Sequence, residues 1–366
     1  MKAKLLIGII LALLQRDHAV AQYIWINVSY KAIVNPIDGQ PAPYVTTHLV
    51  DEAIRFGNLM LDRYQRGYRL RLAEPLLWIG GSTHTNDPTR WYPFRYDAAC
   101  DKPLEEQFRS DGYTNYPVMY AWNFSALNIF LTTFPCGHGG GFCATCSGRL
   151  SDYIINGTGQ GTYGGFTPEE NFAAHMIHEI GHYFGLQHTH GNSVCQTNSA
   201  GNCVTPARDD DGIADTIRDT ANGNCVCFPS IDSLAQAEFG LPYSALSPQN
   251  RLAVSNVWYN VMSYHERFGY AIMTEGQLDS WTDVANSSRQ HTASGRTRFV
   301  STTGVNSGAG TSSTAPLRTV AFGQSIATAS NDIVLLRPGH YNEQLTLSRP
   351  LTFRATRLGW ATIGRP

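Results

Sequence analysis

The chain has 366 residues, 42% of them hydrophobic and 15% charged, with a formal net charge of −2. That is apolar enough to bury one large core or two ordinary ones. The near-neutral balance excludes the electrostatic footprint of a nucleic-acid or anionic-membrane binder.

The N-terminus, MKAKLLIGIILALLQRDHAVAQ, puts two lysines before the apolar run Leu5 to Leu14 and the small residues Ala19 and Ala21 before Gln22. This is the layout of a secretory signal peptide over residues 1–21. The apolar run is too short to cross a bilayer, so no membrane span is expected and the mature protein is expected to be secreted. Export favours disulfides among the eight cysteines, Cys100, Cys136, Cys143, Cys146, Cys195, Cys203, Cys225 and Cys227, without fixing their pairing. Cys143 and Cys146 could otherwise form half of a zinc knuckle, but no second CxxC completes one. Sequons at Asn27, Asn123, Asn156 and Asn286 matter only in a host that glycosylates.

In chain order, YIWINVSYKAIV is rich in aromatic and β-branched residues and reads as a strand. VTTHLVDEAIRFGNLMLDRYQRG carries apolar residues at helical spacing. YRLRL, PLLWIG, YPVMYAW and SDYIIN read as further strands. TPEENFAAHMIHEIGHYFG is the second long helix, with Thr167 and Glu170 as a capping box, Pro168 at its first position and Gly185 as its stop. From 189 to about 257 the chain reads as irregular; TEGQLDSWTDVAN then opens with Thr274 and Gln277 as another capping box. The order predicts an α/β (α+β) domain over 22–290, a mixed twisted sheet with helices packed on one side. The Ser/Thr/Gly-rich segment 291–316 reads as a linker, and 317–366 gives short alternating β-runs broken by Pro and Gly, a tail expected to be separable.

The chemistry concentrates in HEIGHYFGLQH, His178 to His188. His178 and His182 lie four residues apart and share a helix face, so both can reach one ion. Gly185 permits the sharp turn that returns His188 as a third ligand. Three neutral imidazoles leave a tetrahedral Zn2+ one open position, which marks a catalytic rather than a structural site. Glu179 sits beside the first ligand, within reach of a polarised water. His175 and His190 read as supporting partners of the site or as ordinary surface or core histidines. In RDDDGIADTIRDT, Asp209, Asp211 and Asp215 around Gly212 offer oxygen ligands at a bend, a short calcium loop without the distal Glu of an EF-hand, or else a solvated turn.

HExxHxxGxxH, followed by WYNVMSYHERF, resembles the metzincin metalloproteases, whose second hallmark is a methionine turn beneath the metal. HEIGHYFGLQHTHG, NVMSY and MTEGQLDSW are similar to the pappalysin branch, over about residues 23–290. The resemblance implies an endopeptidase acting on protein or peptide substrates. Its Zn2+ polarises the attacking water and the scissile carbonyl, and Glu179 takes the water's proton and passes it to the leaving amine. It further implies Met262 as a structural floor, Tyr264 as a hydrogen-bond donor to the oxyanion or a resting ligand, and Ca2+ near the acidic loop. No inhibitory pro-segment is expected, because the first strand begins almost at Gln22. The tail resembles the opening coils of a right-handed parallel β-helix, of which about two fit before Pro366. The rival reading is an adhesive or glycan-binding surface protein with an inactive protease-like domain; the complete set of ligands and base argues against it.

Overall fold

A computed structural model of the chain describes residues 22–94, 102–133, 141–143, 153–156, 167–191, 195–197, 203–206, 210–219, 230–265, 272–356 and 361–364. The expected signal segment, Asp209 and Cys100, Cys136, Cys146, Cys225 and Cys227 lie outside the described residues, and with them the disulfide expectation.

The chain begins with β1 (Ile24–Ile33), α1 (Thr47–Arg63), β2 (Tyr68–Leu72) and β3 (Leu77–Ile79), then α2 (Lys102–Arg109), β4 (Leu127–Leu131), β5 (Gly141–Cys143) and β6 (Tyr153–Asn156). Next come α3 (Pro168–Tyr183), the hairpin of β7 (Cys195–Thr197) and β8 (Cys203–Pro206), α4 (Ile231–Phe239), α5 (Pro248–Trp258) and α6 (Glu275–Asn286). The last part holds β9 (Thr297–Val300), α7 (Val320–Ile326), β10 (Ile333–Leu336), β11 (Gly339–Tyr341), β12 (Thr352–Ala355) and β13 (Ala361–Ile363).

Six strands form the main sheet in the order β2-β1-β4-β6-β5, with β3 also on β1. All pairs are parallel except β5 with β6, so the sheet is mixed, as expected. Central β1 is largely buried on both faces, although Asn27, Ser29 and Lys31 interrupt its apolar residues on one of them. Its alternate residues Ile24, Ile26, Val28 and Tyr30 pack under α1 and α3, meeting Val50, Ala53, Ile177 and Ile180. The opposite face is not bare: Phe108 of α2 joins Trp91, Phe94, Tyr120, Trp122, Phe130 and Tyr153 in an aromatic cluster. Lys31 also lies on that face, fully buried, with its ammonium on Asn128 Oδ1 at 2.5 Å and against Ser29; burial pulls its pKa down to about 7.

Three expectations are corrected. Helices do not pack on one side of the sheet alone, since α2 covers part of the other face through Phe108. YPVMYAW is a turn, not a strand. Pro117 has no N–H to give a ladder, Trp122 N–H instead donates to the Pro117 carbonyl at 2.8 Å, and Ala121 sits at φ +47°; the strand lies downstream at β4. The stretch to 257 is not wholly irregular, because α4 and α5 pack on each other through Leu234, Ala235, Val254, Val257 and Trp258.

The tail pairs in parallel throughout. β10 lies between β9 and β12, and β11 pairs with β13, over a small core of Val300, Leu317, Val320, Val334 and Leu336. It is fastened to the main sheet. Trp25 N–H donates to Ser294 Oγ at 2.8 Å, Ser294 N–H donates back to the Trp25 carbonyl at 2.9 Å, and Ile333 belongs to the main core. Gly67 is a point of close approach. At φ +80°, any Cβ there would run into Ile333 Cδ1 and lie 2.6 Å from Arg354 Nε. Gly67→Ala is therefore expected to cost about 2 kcal/mol or more, from left-handed strain and overpacking together, measurable as a fall in denaturant midpoint at unchanged slope.

Candidate metal centre

The site is built from the start of α3. Thr167 Oγ1 accepts from Glu170 N–H at 3.2 Å and Glu170 Oε2 accepts from Thr167 N–H at 3.0 Å, the reciprocal capping box read from the sequence, with Pro168 next. Phe172, Met176, Ile177 and Ile180 bury the helix and so fix the face that His178 and His182 share.

The helix ends in a Schellman turn. Gly185 takes φ +88°, its N–H donates to the His182 carbonyl at 2.9 Å, and Leu186 N–H donates to the Gly181 carbonyl at 3.0 Å. That turn does a second job. It brings the Leu186 carbonyl to His182 Nδ1 at 2.7 Å and returns His188 to the helix.

His178 Nδ1 lies 2.6 Å from the Val261 carbonyl. A carbonyl only accepts, so both Nδ1 atoms carry the proton, and the Nε2 lone pairs of His178 and His182 point elsewhere. They point at His188 Nε2, at 3.2 and 3.0 Å. One His188 ring nitrogen could donate to at most one of them, so the convergence of nitrogens is repulsive without a cation at its centre. The spacing also fits. Metal–nitrogen bonds of about 2.0–2.1 Å at tetrahedral angles separate ligand nitrogens by about 3.3 Å. Among the described residues these three histidines are the one group of His, Cys, Asp or Glu side chains so arranged.

Beneath them lies a tight turn. Ser263 N–H donates to the Asn260 carbonyl at 3.0 Å, Met262 N–H to Asn260 Oδ1 at 2.9 Å, and Thr189 N–H to the Met262 carbonyl at 3.2 Å. Met262 is fully buried, and its sulfur lies 2.5 Å from where a Cβ on residue 181 would stand, which is why that helix position is glycine. The Tyr264 ring centre is 4.7 Å from that of His188 and 6.1 Å from that of His178. His190 stacks on His188 at 4.7 Å and meets Tyr264 at 4.9 Å; burial holds its pKa below the ordinary histidine value.

Glu179 is buried, and its Oε1 accepts from His175 Nε2 at 3.1 Å. His175, which the sequence left open, therefore steers this carboxylate. With Glu179 as the base that the resemblance implies, His175→Leu is expected to lower kcat about ten-fold, the worth of one charge-assisted hydrogen bond, with bound metal and KM unchanged. His175→Gln, whose amide nitrogen replaces Nε2, should restore most of it; equal kcat in all three proteins would reject the role.

Two buried residues at the site escaped the sequence reading. Asp219 is fully buried, accepting from Thr189 Oγ1 at 2.8 Å and from His265 Nε2 at 2.7 Å, while His265 stacks on Trp258 at 4.5 Å. They tie the loop after His188 to the segment after Met262. No spacing rule links positions 189, 219 and 265.

Of the acidic loop, Asp211 and Asp215 fall among the described residues, and both carboxylates accept hydrogen bonds from protein donors. Asp211 Oδ1 accepts from Ile213 N–H and Thr216 Oγ1, and its Oδ2 accepts from Gln277 Nε2 at 3.0 Å; Asp215 Oδ2 accepts from Gly276 N–H at 2.9 Å. These bonds pin the loop to the start of α6.

The fold and site thus define a trihistidine metal centre, carried on a helix against a mixed sheet, with a buried carboxylate one residue from the first ligand. No protein-family model and no curated protein matches the chain. Solved structures of mirolysin resemble it. A complex of mirolysin with compound 9 aligns at 15% identity and TM-score 0.44, covering 74% of this chain and 96% of that one. Mature mirolysin of Tannerella forsythia in complex with a cleaved peptide aligns at 14% identity and TM-score 0.44, with the same coverage. Both likenesses are loose, and what the site can do follows from its own geometry.

Proposed function

We propose that the chain is a secreted zinc-dependent endopeptidase of the metzincin type, close to the pappalysin branch. The observation that carries this reading is the convergence of His178, His182 and His188 through their Nε2 atoms, with Glu179 on the same helix beside them. All-imidazole donor sets suit zinc, and zinc held there would supply Lewis acidity toward a water and a carbonyl oxygen.

Glu179 then has the protein's share of the proton traffic. It accepts a proton from the attacking water and gives it to the leaving amine, its Oε1 held by the hydrogen bond from His175. Tyr264, packed against His188, stabilises the oxyanion through its hydroxyl, and Met262 serves as an inert floor. Secretion rests on the signal-like residues 1–21, and the β-helix-like tail on its all-parallel pairing. The calcium reading rests on Asp209, Asp211 and Asp215 alone; calcium raising the melting temperature is its test.

The experiment for the main reading is metal analysis with casein cleavage. The purified protein is expected to hold one zinc per chain, to lose cleavage on chelation, and to regain it on zinc add-back. A folded protein without stoichiometric metal would overturn the assignment.

A further inference from the structure

Two hydrogen bonds already described belong to one directed chain. Met262 N–H donates to Asn260 Oδ1 at 2.9 Å, Asn260 Nδ2 donates to Gln277 Oε1 at 2.8 Å, and Gln277 Nε2 donates to Asp211 Oδ2 at 3.0 Å. Asn260 and Gln277 are both fully buried. Neither amide can flip. The Met262 and Thr274 backbone N–H groups, donors by nature, hold Asn260 Oδ1 and Gln277 Oε1 in place, the latter at 3.1 Å. Gln277 must therefore present its N–H to residue 211, and only an acceptor satisfies it there. At the other end, the turn that Asn260 holds supplies the Val261 carbonyl to His178 and the Met262 carbonyl to Thr189, the neighbour of His188.

We propose that Asp211 is a positioning residue for the metal centre: through Gln277 and Asn260 it fixes the polarity of the methionine turn that orients His178. The acidic loop is then a brace for the zinc ligands, whether or not it also takes calcium. The inference rests on the zinc reading above. Partners behind the first ligands commonly set metal affinity by 10–100-fold, and buried amide networks fail as a unit when one member is reversed.

The polarity of the chain makes it testable by a swap. In Asp211→Asn, Ile213 N–H keeps the amide oxygen at Oδ1, so the new NH2 faces the NH2 of Gln277. In Gln277→Glu, two carboxylates face each other. In the double variant Asp211→Asn/Gln277→Glu, the new amide at position 211 donates to the new carboxylate at position 277. That carboxylate still accepts from Asn260 and Thr274, so each contact is regained, with donor and acceptor exchanged only between positions 211 and 277.

Zinc affinity by chelator competition is the readout, with thermal unfolding of the metal-free proteins alongside. Each single variant should bind zinc about ten-fold more weakly or worse, and the double should return to within about three-fold of wild type. A role confined to folding would lower the apo melting temperature of the single variants and leave zinc affinity unmoved, which would overturn the proposal. So would a double variant no better than the worse single. Should Gln277→Glu fail to fold, Asp211→Asn against the double decides the same question. Wild type without zinc would instead reject the metal reading itself.

Discussion

Glu179→Gln is expected to abolish casein cleavage while the protein still holds one zinc. The substitution keeps size and shape and replaces a proton acceptor by an amide that cannot take the water's proton. Positioned general bases contribute about 10²–10⁴-fold, so kcat should fall in that range or below detection. The metal should stay, because His178, His182 and His188 supply the site, and the outer nitrogens of the first two bond to the Val261 and Leu186 carbonyls, away from Glu179. KM should change little, since a base acting only in the transition state adds no ground-state binding. If cleavage persisted with zinc in place, the base would have to be another residue.

The contrast between what could and could not be read in advance follows from the range of the forces involved. Thr167, Glu170 and Gly185 act within one turn of chain, so their signals are local and the helix they bound fell where expected. The same holds for Thr274 and Gln277, read as a capping box. What stayed hidden is the other half of Gln277's role. Its side chain meets Asp211 and Asn260, partners 66 and 17 positions away that only the folded chain brings together. Asp219 and His265 were missed for the same reason. In α4 and α5 the local marks were present, Ser230 and Ser247 as N-caps and Gly240 in the left-handed cap. These helices bury only a narrow stripe against each other, so their periodicity is faint beside the Asn-, Asp- and Gly-rich chain before them. YPVMYAW failed the other way: its aromatic content suits a strand, yet Tyr120 and Trp122 bury the same rings from a turn.

A chain ending at residue 296 should fail to fold stably, although composition marks 291–316 as a linker. Tyr68 of the main sheet bonds Thr297 Oγ1 through its hydroxyl at 3.2 Å, and the buried Asn286 of α6 has its oxygen on Thr297 N–H and its nitrogen on the Thr297 and Thr311 carbonyls. Truncation orphans these groups at about 1–3 kcal/mol each where they stay buried. It also strips Ile333 from the main core, worth about 1.5–3 kcal/mol more. Asp279, held by Arg66 and by Arg337 from the tail, loses one of its two partners. Together these losses come to about 5 kcal/mol or more, a large part of the 5–15 kcal/mol that typically holds a domain folded. The consequence reaches the metal site, because α6 and the residues just after it pack on the end of the ligand helix: Trp281 stacks on the C-cap Phe184 at 4.6 Å, and Arg289 lies over the Tyr183 ring at 4.2 Å. The truncated protein is therefore expected to be insoluble or to melt far below the full chain, and to lose zinc and activity together rather than activity alone. Circular dichroism melting curves and zinc content of the two chains make the comparison. A truncated protein that melts within a few degrees of the full chain and still cleaves casein would show that the tail is a passenger.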